Sequence, residues 1–248
     1  MLTLLPARRP LALSLGLTVC LLLSLVAAGA ATQILHLRLA TPVPLAFVPI
    51  AVILAGWATR GRRWRALGYR TPVTGGAALT VTVTTCVLIL AVVGGSIGAW
   101  HWDTLPAWLA FTALVAFVEE TFFRGVVLRL LLASGWRRAW LLSSAIFGLG
   151  HAANLLSGTQ TLVATLLQIG VAFAWGLFTA ASYLRTLSLW PALVLHALFD
   201  CLELAGLHPS PTWADTVVLV LLLAGAAALG DGVNRATFPL RRAVSLVG

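Results

Sequence analysis

PAWLAFTALVAFVEETFFRGVVLRLLLAS, residues 106–134, is the stretch whose reading decides the fold. It exceeds the roughly 20 apolar residues that a helix needs to cross the hydrocarbon of a bilayer. Yet it carries Glu119, Glu120, Arg124 and Arg129 in its interior. Asp103 and Thr104 precede Pro106, a helix-start signal. In a membrane helix an ionisable residue costs at least a few kcal/mol near the centre, so it is rare and by default functional. This stretch therefore reads as a transmembrane helix bearing chemistry.

Outward from it, about eight stretches have the length and apolarity of spans, some by tilting. They lie near residues 11–31, 43–59, 76–100, 106–134, 139–155, 162–184, 189–205 and 213–230. The fold class predicted is all-α, a multi-pass transmembrane helical bundle. Composition agrees: the chain is 60% hydrophobic and 9% charged, with a mean hydropathy of +1.00, whereas soluble domains carry about 25% charged residues.

The basic residues are all arginine, and they outnumber the acids 16 to 7. A pI near 11.4 suggests nucleic acid at first sight, but the arginines lie between apolar runs, so membrane orientation explains them better. With the N-terminus in the cytoplasm, cytoplasmic segments receive Arg8, Arg9, Arg60, Arg62, Arg63, Arg65, Arg70, Arg137, Arg138, Arg185, Arg235, Arg241 and Arg242. The opposite side receives Arg38 alone. Both termini are then cytoplasmic. Arg8 and Arg9 before the apolar run Leu11 to Val26 resemble a secretory signal; an uncleaved first helix is the preferred reading. Cys20, Cys86 and Cys201 lie in apolar stretches without paired spacing and read as packing residues. The tight turn at Gly206 to Pro211 reads as external, and Ser188 before Pro191 opens the seventh span. The longest polar segment is the loop from Arg60 to Thr74, and there is no internal repeat.

Charge divides the chain. The first three spans hold no acid and no internal arginine and read as scaffold, residues 1–104. Residues 105–205 hold Glu119, Glu120, Arg124, His151, Asn154, His196 and Asp200, and residues 206–248 hold the last span and a basic tail. Glu120 and Arg124, four apart, share a helix face and neutralise each other. Glu119 points about 100° away, has no intrahelical partner, and is the candidate general base. Gly148 and Gly150 allow close helix approach beside His151. His196 and Asp200 share one face of the seventh span. Counted at about 1.5 Å per residue from the cytoplasmic helix ends, Glu119, His151, His196 and Asp200 fit one layer of the bilayer. Glu203, Arg129 and Gln168 read as supporting or interfacial, and His36, His101 and His208 fall in external loops or at helix ends.

Glu119-Glu-x-x-x-Arg124, Phe147-x-x-x-His151 and His196-x-x-x-Asp200, in this order on three predicted helices, resemble the CAAX prenyl protease type II family, the CPBP intramembrane proteases. That family includes bacteriocin-processing and self-immunity relatives. Phe123-Arg124-Gly125 and the stretch Tyr183 to Pro191 support the resemblance, which spans about residues 105–205. It implies an intramembrane endopeptidase acting on a membrane-associated or lipidated peptide. Glu119 would activate a water, His151 would position it, and His196 with residue 200 would stabilise the oxyanion. The prenyl-protease branch usually has asparagine at the last position, which can donate a hydrogen bond; an ionised aspartate only accepts. Asp200 would then either donate as a carboxylic acid or orient His196; the orienting role is favoured. Glu119, His151 and His196 would also make a two-histidine, one-carboxylate set for Zn2+ or another divalent metal, although no His-Glu-x-x-His pair is present. The metal-free mechanism is preferred.

Two readings of other classes compete. A proton-coupled transporter also uses buried Glu, His and Asp, but polar residues confined to one half argue against the repeats of many transporters. A catalytically inactive immunity or binding protein would use the cluster to hold a partner. Gly-x-Ser-Gly is absent, and Ala228-Leu-Gly-Asp231 lacks the first glycine of an aspartyl site, which removes rhomboid-type and aspartyl enzymes. The expected partners are the lipid bilayer and a membrane-associated peptide or protein, with no nucleic acid. The arginine-only usage points to a bacterial plasma membrane.

Overall fold

A computed structural model of the chain describes residues 9–37, 41–73, 76–94, 104–156, 161–205 and 212–235. Arg8, Arg38, His101, Asp103, His208, Arg241, Arg242 and the turn at 206–211 lie outside the described residues. Helix occupies most of the described residues of each predicted span: α1 (Pro10–Ile34), α2 (Val43–Arg60), a short α3 (Trp64–Leu67), α4 (Ala77–Gly94) and α5 (Leu105–Glu120) come first. A π-helical segment (Thr121–Val127), α6 (Leu128–Leu131) and a 3-10 turn (Leu132–Ser134) prolong α5. Then follow α7 (Trp136–Gly150), a short α8 (Ala153–Leu156), α9 (Leu162–Thr186), α10 (Trp190–Ala205) and α11 (Thr212–Arg235). No strand occurs among the described residues. By length and composition, α1, α2, α9 and Thr216–Val233 are each apolar enough to cross a membrane.

The helix ends follow local chemistry. Pro106 fills the first turn of α5, where its missing N–H is not needed. Gly135, at φ 95°, breaks the chain between the 3-10 turn and α7. In the packing, α9 is the central post: it lies against α7 on one side and α11 on the other, while α10 lies against α5. Small residues permit the α7–α9 contact, since a Cβ on Gly176 would stand 2.9 Å from Ser144 Cα. One on Gly148 would stand 3.0 Å from the Ile169 carbonyl oxygen. Trp140 donates to the Leu177 carbonyl at 2.7 Å across the same seam. Such close approach is how bundles cohere where lipid removes the hydrophobic drive between helices.

The described part of the Arg60 to Thr74 loop, 60–73, is more than a polar loop. Leu67 is fully buried, and the segment is stitched to the α9–α10 junction by backbone bonds from Val73 N–H to the Thr186 carbonyl and from Leu189 N–H to the Gly68 carbonyl, both 2.8 Å. Ser188 Oγ donates to the Arg70 carbonyl at 2.7 Å, and Arg129 from α6 donates to the Ala66 carbonyl. Arg185, at the end of α9, donates to the Gly232 carbonyl of α11 at 2.7 Å. The ends of α2, α6, α9 and α11 are thus gathered with the segments that carry Arg62, Arg63, Arg65, Arg70 and Arg185.

Tyr69 fastens this clamp to the middle rod. Its ring packs edge-on to Trp64 (4.9 Å between centroids) and Trp190 (5.5 Å), and its hydroxyl meets Thr121 Oγ1 at 2.5 Å, at the first residue of the π-segment. Burial pushes the Tyr69 phenol up from 10.0 to about 12, although the Thr121 hydrogen bond acts in the opposite sense. Because the raised value belongs to the folded state, the unfolded chain ionises first. The tyrosine's contribution to stability is therefore complete below pH 10 and is lost as pH rises towards about 12. Thermal unfolding in detergent is expected to show this alkaline loss in the wild type and a flatter profile in Tyr69→Phe.

Candidate active site

Glu120 closes the last turn of α5, with no side-chain exposure. A carboxylate in that position needs compensation, and Arg124, one turn on, supplies it: Nε lies 3.2 Å from Oε2. The guanidinium is itself buried and lies over the face of Phe147, 4.3 Å from the ring centroid, a favourable placement for a desolvated cation. This is the pair that four-residue spacing predicts. The sequence does not reveal its second partner. Glu120 Oε1 stands 2.9 Å from Nδ1 of His196, contributed by α10.

An ionised carboxylate can only accept, so Nδ1 of His196 carries the hydrogen and donates it. The other ring nitrogen, Nε2, faces Asp200 Oδ2 at 3.3 Å and Glu119 Oε2 at 3.8 Å. His196 therefore sits among three carboxylates, one at Nδ1 and two at Nε2. Trp175 from α9 packs against its ring, 5.6 Å between centroids. The orienting position at Nδ1 belongs to Glu120, while Asp200 shares the Nε2 side with Glu119. Glu119 retains 18% side-chain exposure and Asp200 33%, so both are reachable from the space beside them.

His151 caps α7, and its Nδ1 lies 3.1 Å from the Phe147 carbonyl oxygen. A carbonyl likewise only accepts, so this hydrogen is fixed on Nδ1 and the neutral ring has its lone pair at Nε2. Phe147 packs edge-on against both histidines, at 5.1 Å from His151 and 6.5 Å from His196, which makes its ring the spacer between them.

Glu119, His151, His196 and Asp200 line one cavity of about 390 Å³. Its remaining wall is largely apolar, including Phe111, Phe123, Trp175 and Phe199. The first helices also reach this cavity. Leu21, Leu22 and Leu25 of α1 and Val43 and Phe47 of α2 form part of this wall. Their roles were invisible in the sequence because leucine and phenylalanine in an apolar span carry no positional signal. Gln168 of α9 also faces the cavity. Asn154 lies on α8, and its side chain falls outside the described residues.

The three-ligand metal set offered by the sequence is not assembled. Among the described residues no group of three His, Cys, Asp or Glu side chains is disposed to hold a metal ion. Nε2 of His196 faces Asp200 at 3.3 Å and Glu119 at 3.8 Å, while Nδ1 of His151 is held by a backbone carbonyl.

Residues 99–202 match the family described as type II CAAX prenyl endopeptidase Rce1-like. No curated protein and no solved structure matches the chain. The matched segment contains every charged residue that lines the cavity.

Removing Arg124 leaves Glu120 buried with its main countercharge gone. Arg124→Met is expected to destabilise the protein by about 3–5 kcal/mol, the cost of breaking a buried ion pair from one side. Restoration of much of that loss in the double variant Glu120→Gln with Arg124→Met, measured by thermal unfolding in detergent, separates an uncompensated charge from lost packing.

Proposed function

Because the chain belongs, through residues 99–202, to the type II CAAX prenyl endopeptidase Rce1-like, or CPBP, family, we propose that it is an intramembrane endopeptidase. Its substrate is a membrane-associated or lipidated peptide, and the core spanning residues 105–205 does the chemistry. The observation that carries this reading is the arrangement of His196: anchored at Nδ1 by a buried carboxylate, 2.9 Å away, and presenting Nε2 beside Glu119 in a cavity.

In the proposed reaction a water held between Glu119 and His151 loses a proton to Glu119, and its oxygen forms a bond to the peptide carbonyl carbon. The lone pair on His151 Nε2 accepts the water's other hydrogen and so aims it. His196, among three carboxylates, works as an imidazolium that donates from both nitrogens: its Nδ1 hydrogen stays on Glu120, while its Nε2 hydrogen, which Asp200 accepts in the resting site, turns to the developing oxyanion. Glu119 then passes its proton to the amide nitrogen as the carbon–nitrogen bond breaks, giving a carboxyl and an amine product. Glu120 and Arg124 act through His196: they hold the ring so that its Nε2 edge stays in place. Asp200 acts as the acceptor that keeps that hydrogen aligned. The apolar wall supplied by α1, α2 and α9 suits a substrate with aliphatic or lipid character and excludes bulk water.

The arginine-bearing segments gathered at one end of the bundle support a cytoplasmic location for that end and for both termini, in a bacterial plasma membrane. Purified protein in liposomes, given a membrane-anchored peptide, tests the chemistry. Glu119→Gln is expected to lower the cleavage rate by about 10²- to 10⁴-fold, the range for a lost general base. Asp200→Asn keeps an acceptor and adds a donor, so it is expected to lose far less than Asp200→Leu. Full cleavage by Glu119→Gln would sink the assignment.

A further inference from the structure

A second pocket lies at the arginine-bearing end of the bundle, away from the cavity just described. It is lined by Arg65 and Arg70 of the clamp segment, Arg129 of α6, and Tyr183, Leu184 and Leu187 around the end of α9. At about 30 Å³ it has room for a small oxyanion, roughly two to three times the space one water needs. No carboxylate is paired with any of the three arginines among the described residues.

Arg129 distinguishes this pocket from the ordinary excess of arginine on a cytoplasmic face. It belongs to a helical rod and is only 8% exposed. One nitrogen, Nη1, is fixed by the Ala66 carbonyl and by the Tyr183 hydroxyl at 3.1 Å. The other two, Nε and Nη2, are buried without a hydrogen-bond partner among the described residues. Orientation alone requires neither burial nor a fixed fork of donors. A buried guanidinium with two unmatched donor nitrogens carries a desolvation cost that an anion would offset. The planar fork suits a phosphate, which it can bind through two parallel hydrogen bonds. Arg65, exposed, and Arg70, half-buried, add positive charge at the pocket's walls. Leu187, half-buried at the end of α9, also lines the pocket and gives an apolar edge where the acyl chains of a lipid would leave the phosphate.

We propose that this pocket binds the phosphate of an anionic phospholipid from the leaflet at the arginine-bearing end, clamping the segment 60–73 to α6 and α9. Basic pockets between helices at the cytoplasmic surface hold anionic headgroups in this way. The site is independent of the peptidase assignment, since none of its residues lines the catalytic cavity.

Native mass spectrometry of the full chain in detergent, titrated with phosphatidylglycerol, phosphatidylcholine or inorganic phosphate, tests the proposal. The wild type is expected to retain phosphatidylglycerol over phosphatidylcholine. Arg65→Gln with Arg70→Gln should weaken phosphatidylglycerol binding by ~30-fold, the product of about 5-fold for each arginine removed near a membrane surface. Arg65→Gln alone changes an exposed residue and should weaken it by about 5-fold. Arg137→Gln with Arg138→Gln removes equal charge outside the pocket and should leave binding within about 2-fold of wild type. Equal loss in the two double variants, or no preference in the wild type, would overturn the site. Displacement of the lipid by millimolar inorganic phosphate would overturn the lipid assignment in favour of a free-phosphate site.

Discussion

A carboxylate enclosed in a hydrophobic bundle must be compensated, and Glu120 is compensated from two directions at once. Arg124 neutralises it along its own helix, and His196 donates to it from α10. The two contacts do different work. The ion pair makes the burial tolerable, and the histidine bond ties α10 to the rod formed by α5 and its π-helical extension. Once that tie exists, the ring of His196 has little freedom, and its remaining nitrogen is directed at Glu119 and Asp200. The placement of His196 beside Glu119 and Asp200 follows from the need to compensate a buried charge.

The same economy recurs at His151, whose Nδ1 is held by a backbone carbonyl rather than a carboxylate. Both histidines thus engage one nitrogen with the scaffold and leave the other outside that bond, with Phe147 between them. One ring consequently supports three groups, because Phe147 also carries the Arg124 guanidinium on its face. The π-segment beginning at Thr121 follows directly on the two glutamates, as π-turns often do at functional sites. Tyr69 fixes its first residue from the clamp segment. The layer of Glu119 and Glu120 is in this way connected to the arginine-bearing end of the molecule.

Much of this was legible in the sequence because lipid imposes strong rules. Apolar length located the helices to within a few residues, four of them long and apolar enough to cross a membrane, and four-residue spacing identified Glu120 with Arg124 and His196 with Asp200 as facing pairs. What spacing cannot convey is which rotamer a side chain adopts across a helix interface. Hence Glu120 read as half of a closed pair, when its other oxygen serves His196. Leu21, Leu25 and Phe47 were unreadable as cavity walls for the opposite reason: an apolar residue facing lipid and one facing a cavity look alike in sequence. The clamp from Arg60 to Thr74 was hidden by its arginines, which suggested a solvated loop although Leu67 is fully buried beneath it.

The central claim is that Glu120 holds His196 by its Nδ1 hydrogen, and nuclear magnetic resonance of histidine-labelled protein addresses it directly. With ¹⁵N in the imidazoles and His196→Gln for assignment, the account predicts a strongly downfield Nδ1–H proton on His196, the signature of a bond to a carboxylate. That signal should move upfield or vanish in Glu120→Gln while the His151 resonances stay in place. An Nδ1 without hydrogen in the wild type, or a His196 spectrum indifferent to Glu120→Gln, would contradict the account.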